Sequence, residues 1–283
     1  MKNLKNNLSS NSIDFMRMVV SSMRNTADDQ SRKTRLLCLI TKVDPTYSNY
    51  DCKLSTNTLP LLTKLTISAS EKSDLLSLYS YKNSKLTAFR RAISTDTSST
   101  YQATCQYCTV NSVNSLDHFV PKDLFPEFSV HPSNLVPSCT ECNSKKLVRW
   151  LNNNQHLFLN LYIDLLPNKQ YLFVELNVIS LNKIDVNFKV DNPNNIPIPL
   201  YTIISSHYTE LDLFQRFKDK SSDIIIELTN SIQASLSNGV SMPMIQQIIL
   251  DTCSRDKQHK GHNYYQIILK EALIESSNYL SLF

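Results

Sequence analysis

Four cysteines in two C-x-x-C pairs are the residues whose types and spacing indicate chemistry most clearly. Cys105 and Cys108 form the first pair, and Cys139 and Cys142 form the second. Four thiolates at this spacing suit a tetrahedral Zn²⁺ ion. A thioredoxin-like redox pair fits less well, because such a pair stands alone beside a parallel-sheet pattern. We therefore expect one structural zinc ion with no coordination position left for catalysis.

A second group of polar residues lies between and just after these pairs. Asp117 and His118 are adjacent, Asn134 follows, and Asn143 comes directly after the last cysteine. An imidazole can accept a proton near neutral pH. Carboxylate and amide oxygens are the donors that Mg²⁺ or Mn²⁺ prefers. A base for water and a cation to offset charge are what hydrolysis of a phosphodiester requires.

The order of these motifs resembles the zinc-containing HNH endonucleases. The chain reads C-x-x-C, Asp-His-x-x-Pro, Asn-Leu-x-Pro and C-x-x-C-Asn-x-x-Lys between residues 105 and 146. The resemblance implies a ββα-metal core, in which residues 116–120 form the first strand, residues 135–138 the second and residues 140–151 the helix. It also implies cleavage that leaves 5′-phosphate and 3′-hydroxyl ends.

The resemblance also assigns roles to the four polar residues. His118 corresponds to the general base, Asp117 and Asn143 to the ligands of the catalytic cation, and Asn134 to the residue that orients the base. Neighbouring residues of a strand face opposite sides. Asp117 and His118 can therefore serve one site only if the strand bends or ends there.

Three lysines and one threonine complete the candidate site. Lys122, Lys145 and Lys146 could contact phosphates, although lysines on an exposed helix face are ordinary. Thr109 follows the second cysteine, where a zinc knuckle usually has a glycine that permits a positive φ. This departure predicts some distortion of the first knuckle.

The surrounding pattern predicts an α+β fold that is mainly helical. Helices are expected around residues 15–23, capped by Asp14 and the serines before it, and at residues 75–81 and 85–93. A loop is expected at residues 45–59, and alternating residues 171–190 predict a hairpin with its turn at residues 180–183.

We predict four regions from these elements. They are a basic helical region 1–99 ending in a linker at 94–100, the HNH core with its zinc site 100–165, the hairpin and loop 166–200, and a helical region 201–283.

Charge and composition indicate which classes of binding partner the chain could have. The net charge is +4, and residues 1–100 hold 15 Lys and Arg against 8 Asp and Glu. Such a segment is typical of a protein that binds nucleic acid, and a solvated surface explains it equally well. The chain has neither a long apolar run nor an apolar leader. We expect a cytoplasmic protein with no membrane contact.

The leading hypothesis is a metal-dependent HNH endonuclease that cuts DNA, with RNA as the less favoured substrate. The overall layout resembles HNH nucleases of prokaryotic anti-phage systems such as Septu and retron-linked nucleases, which implies an ATPase partner subunit. The alternative is a non-catalytic zinc ribbon that binds nucleic acid or protein. Such a module would need the cysteines but would have no use for His118 and Asn143 together.

Overall fold

The fold is α+β and mainly helical, as the sequence predicts. The computed structural model describes residues 1–4, 11–23, 29–80, 82–93 and 104–283. The chain divides into two compact units. The first comprises Asn3–Tyr107 and Asn111–Leu165, and the second comprises Met1–Lys2, Cys108–Val110 and Leu166–Phe283.

The first unit combines five helices with two small antiparallel sheets among its described residues. Its elements are α1 (Ser12–Ser22), α2 (Arg32–Ser55), α3 (Ala69–Leu76), α4 (Ser84–Ile93), β1 (Ser115–His118), β2 (Leu135–Ser138), α5 (Thr140–Lys146), β3 (Leu151–Asn152) and β4 (Gln155–His156).

Helix α1 forms where the apolar spacing predicts it. It buries Phe15, Val19 and other apolar residues on one face, as an amphipathic helix should. The helix ends at Ser22, so Met23 is its C-terminal cap rather than part of the buried face. The predicted capping is wrong, because Asn11 precedes the helix and its side chain makes no cap hydrogen bond.

Helix α2 replaces the loop that we expected at residues 45–59. It continues through Pro45 to Ser55, although a proline inside a helix removes one backbone donor. Apolar residues at helical spacing explain why the helix persists. The buried positions are Leu36, Leu39, Ile40, Val43, Tyr47 and Tyr50.

Helix α3 lies earlier in the chain than expected. It starts at Ala69 because Ser68 and Glu71 form a reciprocal capping box, and it ends at Leu76 instead of continuing to residue 81.

The short hairpin β1–β2 and the helix α5 hold the candidate site. The strands pair antiparallel, with Asp117 opposite Val136 and His118 opposite Leu135. The second strand has the predicted bounds. The first strand ends at His118 and α5 ends at Lys146, both earlier than predicted.

The second unit consists of a long hairpin and six helices among the described residues. The predicted hairpin is present, since β5 (Leu172–Ser180) pairs antiparallel with β6 (Lys183–Val190). The helices are α6 (Ile198–Glu210), α7 (Leu213–Asp219), α8 (Ser221–Ser237), α9 (Met242–Lys260), α10 (Tyr265–Glu275) and α11 (Ser277–Leu280).

A buried asparagine fixes the start of this hairpin. Asn263 Oδ1 accepts hydrogen bonds from the backbone N–H groups of Tyr171 (2.7 Å) and Leu172 (2.9 Å).

Two sequence expectations remain as they were. The linker at residues 94–100 lies outside the described residues, and the division into four regions stays a prediction.

Within the ranges that the structure describes, no helix combines the length and the apolar character needed to cross a bilayer.

Candidate active site and metal centre

The four cysteines converge on one buried point. Their sulfur atoms all lie within 4.8 Å of one another, and Cys105 Sγ is 4.0 Å from Cys142 Sγ. Tetrahedral zinc with Zn–S bonds of about 2.3 Å separates its sulfur ligands by roughly 3.8 Å. The donor set and its spacing therefore fit a metal ion such as zinc.

The second cysteine pair is positioned by the start of helix α5. Cys139 is the N-cap residue, and its Sγ accepts a hydrogen bond from the backbone N–H of Cys142 at 3.4 Å. A helix start places the cap side chain and the third helical residue on the same side. The C-x-x-C spacing thus brings both sulfurs together by local geometry alone.

The first pair lies on a tight turn that keeps the left-handed geometry of a knuckle. Thr109 has a φ of 58° where a glycine is usual, so the threonine adopts the conformation that the turn requires. The backbone N–H of Val110 donates to Cys108 Sγ at 3.4 Å. Thr109 therefore carries a positive φ, which is a strained conformation for a β-branched residue.

Asp117, His118 and Asn143 line one open cleft with a volume of about 320 Å³. Asp117 and His118 both belong to the paired strand β1, and both nevertheless line the cleft, with His118 at the last position of the strand. Asn143 reaches the same cleft from the first turn of α5. Asn134 is fully buried and is not among the residues lining the cleft.

The imidazole of His118 is held in one tautomer. Its Nε2 is 2.8 Å from the backbone oxygen of Ser129, which can only accept a hydrogen bond. Nε2 therefore carries the proton, and Nδ1 carries the lone pair. The ring of Tyr79 packs edge-on against the imidazole with centroids 4.5 Å apart.

Burial keeps this histidine neutral. It lowers the pKa of His118 to about 3, and the hydrogen bond to Ser129 only partly opposes that shift. A neutral ring with a defined lone pair can accept a proton from water at neutral pH.

Asn134 anchors the loop that follows the histidine. Its Oδ1 accepts from the Val120 N–H (2.7 Å) and from the Tyr50 hydroxyl (3.0 Å). Its Nδ2 donates to the backbone oxygens of Val120 (2.9 Å) and Phe128 (3.1 Å). All four bonds are buried, so the amide fixes the backbone on either side of this loop.

Lys146 does not lie on an exposed helix face, which corrects our expectation that it could contact phosphates. Its side chain has no exposed surface. The ammonium donates to the backbone oxygen of His118 at 2.7 Å and lies 3.3 Å from Asp117 Oδ2. The lysine is therefore held inside the protein at the end of strand β1, where burial lowers its pKa and the Asp117 carboxylate opposes that shift.

The Asp117 carboxylate lies in the same buried pocket. Burial raises the pKa of Asp117, and the neighbouring ammonium of Lys146 opposes that shift. The hydroxyl of Tyr107 also donates to Asp117 Oδ2 at 3.4 Å. The carboxylate therefore lies in the cleft with two polar neighbours, an amino group and a phenol, that hold it in place.

The other candidate residues differ in their positions. Asn143 Nδ2 donates to Ser115 Oγ at 2.9 Å, so its amide oxygen is the atom with which it could bind a cation. Lys122 lines the cleft and lies 3.4 Å from Asp123 Oδ1. Lys145 is in the last turn of α5 but is not among the residues lining the cleft.

A strained turn follows α5 at the rim of the cleft. Leu147 has φ 50° and ψ −128°, and the Arg149 N–H donates to the Lys146 oxygen at 3.0 Å. These angles define a type II′ turn with Leu147 at its first central position, where glycine is usual. A non-glycine residue there costs on the order of 1–3 kcal/mol. This turn also explains why the helix stops short of residue 151.

Sequence reasoning missed three contributors to the site. Ser129 acts through its backbone oxygen, which no side-chain pattern reveals. Tyr50 comes from α2 and Tyr79 from the loop after α3, both distant in sequence. The apolar spacing of α2 is the one signal that could have indicated burial of Tyr50.

Comparisons with known proteins give two short similarities. Protein ea31 of Escherichia phage lambda is 34% identical over 95 residues, which are 32% of this chain and 31% of ea31. Septu protein PtuB of Bacillus thuringiensis is 40% identical over 47 residues, which are 15% of this chain and 18% of PtuB. The chain thus matches less than a third of either relative. No family model and no solved structure matches the chain.

Proposed function

We propose that the chain is a metal-dependent HNH endonuclease that hydrolyses phosphodiester bonds of DNA. The observation that carries the proposal is the hydrogen bond from His118 Nε2 to the Ser129 oxygen, in a cleft that also contains Asp117 and Asn143. That bond leaves Nδ1 as a proton acceptor beside two oxygen donors. A zinc ribbon that only binds a partner has no need for this arrangement.

Each residue has a defined task in this proposal. His118 Nδ1 accepts the proton of the attacking water. Asn134 and the Ser129 oxygen hold the loop and the ring in place. The carboxylate of Asp117 and the amide oxygen of Asn143 are the donors that would hold a Mg²⁺ or Mn²⁺ ion, which would offset negative charge on the scissile phosphate and the leaving oxygen.

A defence role is the second part of the proposal. The similarity to a Septu protein supports an anti-phage role. The order of the motifs and the layout of the chain imply that it is the nuclease of such a system, with an ATPase as partner subunit.

One observation favours the non-catalytic alternative. The ammonium of Lys146 lies 3.3 Å from Asp117, so the carboxylate already has a positive neighbour without any added cation. A zinc module that binds nucleic acid or protein would be stable in this form. This alternative predicts binding that persists and no cleavage with any metal.

The deciding experiment compares purified wild-type protein with His118→Ala on plasmid DNA and on RNA, with Mg²⁺ or Mn²⁺. General-base catalysis contributes roughly 10²- to 10⁴-fold, so the variant should cleave at least about a hundredfold more slowly. His259→Ala is the matched control, because this exposed histidine lies in the second unit. Equal cleavage by wild type and His118→Ala would refute the assignment of the base.

A further inference from the structure

Two exposed apolar side chains lie at the rim of the candidate active site. Leu147 is 66% exposed and Val148 is 47% exposed, and both line the same cleft as His118 and Asn143. A single exposed leucine is ordinary in folded proteins. The position of this pair beside the oxygen donors is what makes it informative.

The backbone at this rim gives a second, independent observation. Leu147 occupies the position of a type II′ turn that glycine fills without strain. A glycine at position 147 would therefore form the same turn at a lower cost in free energy. Strained residues that persist tend to cluster at ligand sites, which indicates a use for the leucine side chain.

The geometry of helix α5 relates this rim to the phosphodiester. The Leu147 N–H donates to the Asn143 oxygen at 3.0 Å, so the two residues are one helical turn apart. One turn is about 5.4 Å along the axis, so Leu147 lies within the same cleft close to any phosphate that meets Asn143. A nucleotide next to that phosphate would contact Leu147.

The apolar side chains at the rim favour contact with the flat face of a base over contact with its polar edge. In a duplex, the grooves display polar base edges, and the flat faces are stacked. An unstacked base exposes its apolar face to protein side chains. We propose that Leu147 and Val148 bind the face of an unstacked nucleobase next to the scissile phosphate, and thereby direct the cleft to single-stranded or locally opened DNA. This inference rests on the proposed function.

Binding of a fluorescent base tests the proposal without cleavage. The probe is 2-aminopurine, placed either in a single-nucleotide bulge or at a paired position of the same duplex, because its fluorescence reports its stacking. The protein is the full chain carrying His118→Ala. We expect about tenfold tighter binding to the bulged duplex, with a fluorescence change at the bulge.

Two further variants isolate the leucine side chain. Added to His118→Ala, Leu147→Ala and Leu147→Gly should each reduce the preference for the bulge to about twofold or less. Leu147→Gly should not lower the unfolding temperature, because it removes the strain, so loss of folding would not explain the result. Leu165→Ala, at a leucine 75% exposed outside the cleft, should keep the preference.

Either of two results would overturn the inference. One is an unchanged preference for the bulge in Leu147→Gly, and the other is equal binding of paired and bulged duplexes before any change at Leu147. Failure of the proposed nuclease would appear separately, as a lack of cleavage by the wild-type protein.

Discussion

Replacement of Asn134 by aspartate should destabilise the protein by about 3 kcal/mol. The carboxylate can still accept from the Val120 N–H and the Tyr50 hydroxyl, but it cannot donate to the Val120 and Phe128 oxygens. The Val120 oxygen would lose its donor at a cost of roughly 1–3 kcal/mol, and burial of the new carboxyl adds to this cost. The Phe128 oxygen would keep its hydrogen bond from the His131 N–H at 3.2 Å. The substitution changes almost no volume, so the loss reports hydrogen bonding and charge.

Urea unfolding followed by circular dichroism measures this loss as a shift of the midpoint at constant slope. Tyr50→Phe removes one of two donors to the same Oδ1 and should cost about 1 kcal/mol. Asn114→Asp is the matched control, because this exposed asparagine should change stability by no more than about 0.5 kcal/mol. If Asn134→Asp unfolds within about 1 kcal/mol of the wild type, Asn134 does not anchor the loop.

Three other perturbations test separate parts of the structure. Cys142→Ser should lose bound zinc in elemental analysis and unfold the first unit, and a well-folded metal-free variant would refute the structural metal. Lys146→Met should cost about 3 kcal/mol in denaturant unfolding, because it leaves the Asp117 carboxylate buried without its cation. Burial raises the pKa of Asp164 to about 6, so stability should fall as pH rises from about 4 to 6. Asp164→Asn should abolish that component of about 3 kcal/mol, and an unchanged pH profile in this variant would contradict it.

The predictable parts of the fold are those in which local pattern and burial agree. Alternating residues produced the β5–β6 hairpin, and helical spacing produced α1 and α4. Helix α2 was not predicted because Pro45 and the polar residues after it are typical of a loop. They obscure the apolar residues at helical spacing. Burial of Tyr47 and Tyr50 against the rest of the unit provides the stabilisation that local propensity lacks.

The clustering of the four cysteines was predictable from the sequence, and the contacts around His118 and Lys146 were not. Residue types and spacing predicted that the four cysteines would cluster, and the structure brings them together. The roles of Asp117, His118, Asn134 and Asn143 stay predictions. No pattern of residues indicates that a backbone oxygen fixes the imidazole or that Lys146 is buried, because both depend on where the chain passes in three dimensions.

The local backbone holds the sulfur atoms of one cysteine pair together more readily than those of the other. This difference predicts which pair binds the metal ion first. Cys139 and Cys142 are brought together by the first turn of a helix, whereas the first pair depends on a threonine in a left-handed conformation. The helix can form its pair before any ion arrives. We expect a metal ion to bind the second pair first and then to draw the first pair closed, so that folding of the knuckle follows metal capture as a slower kinetic step.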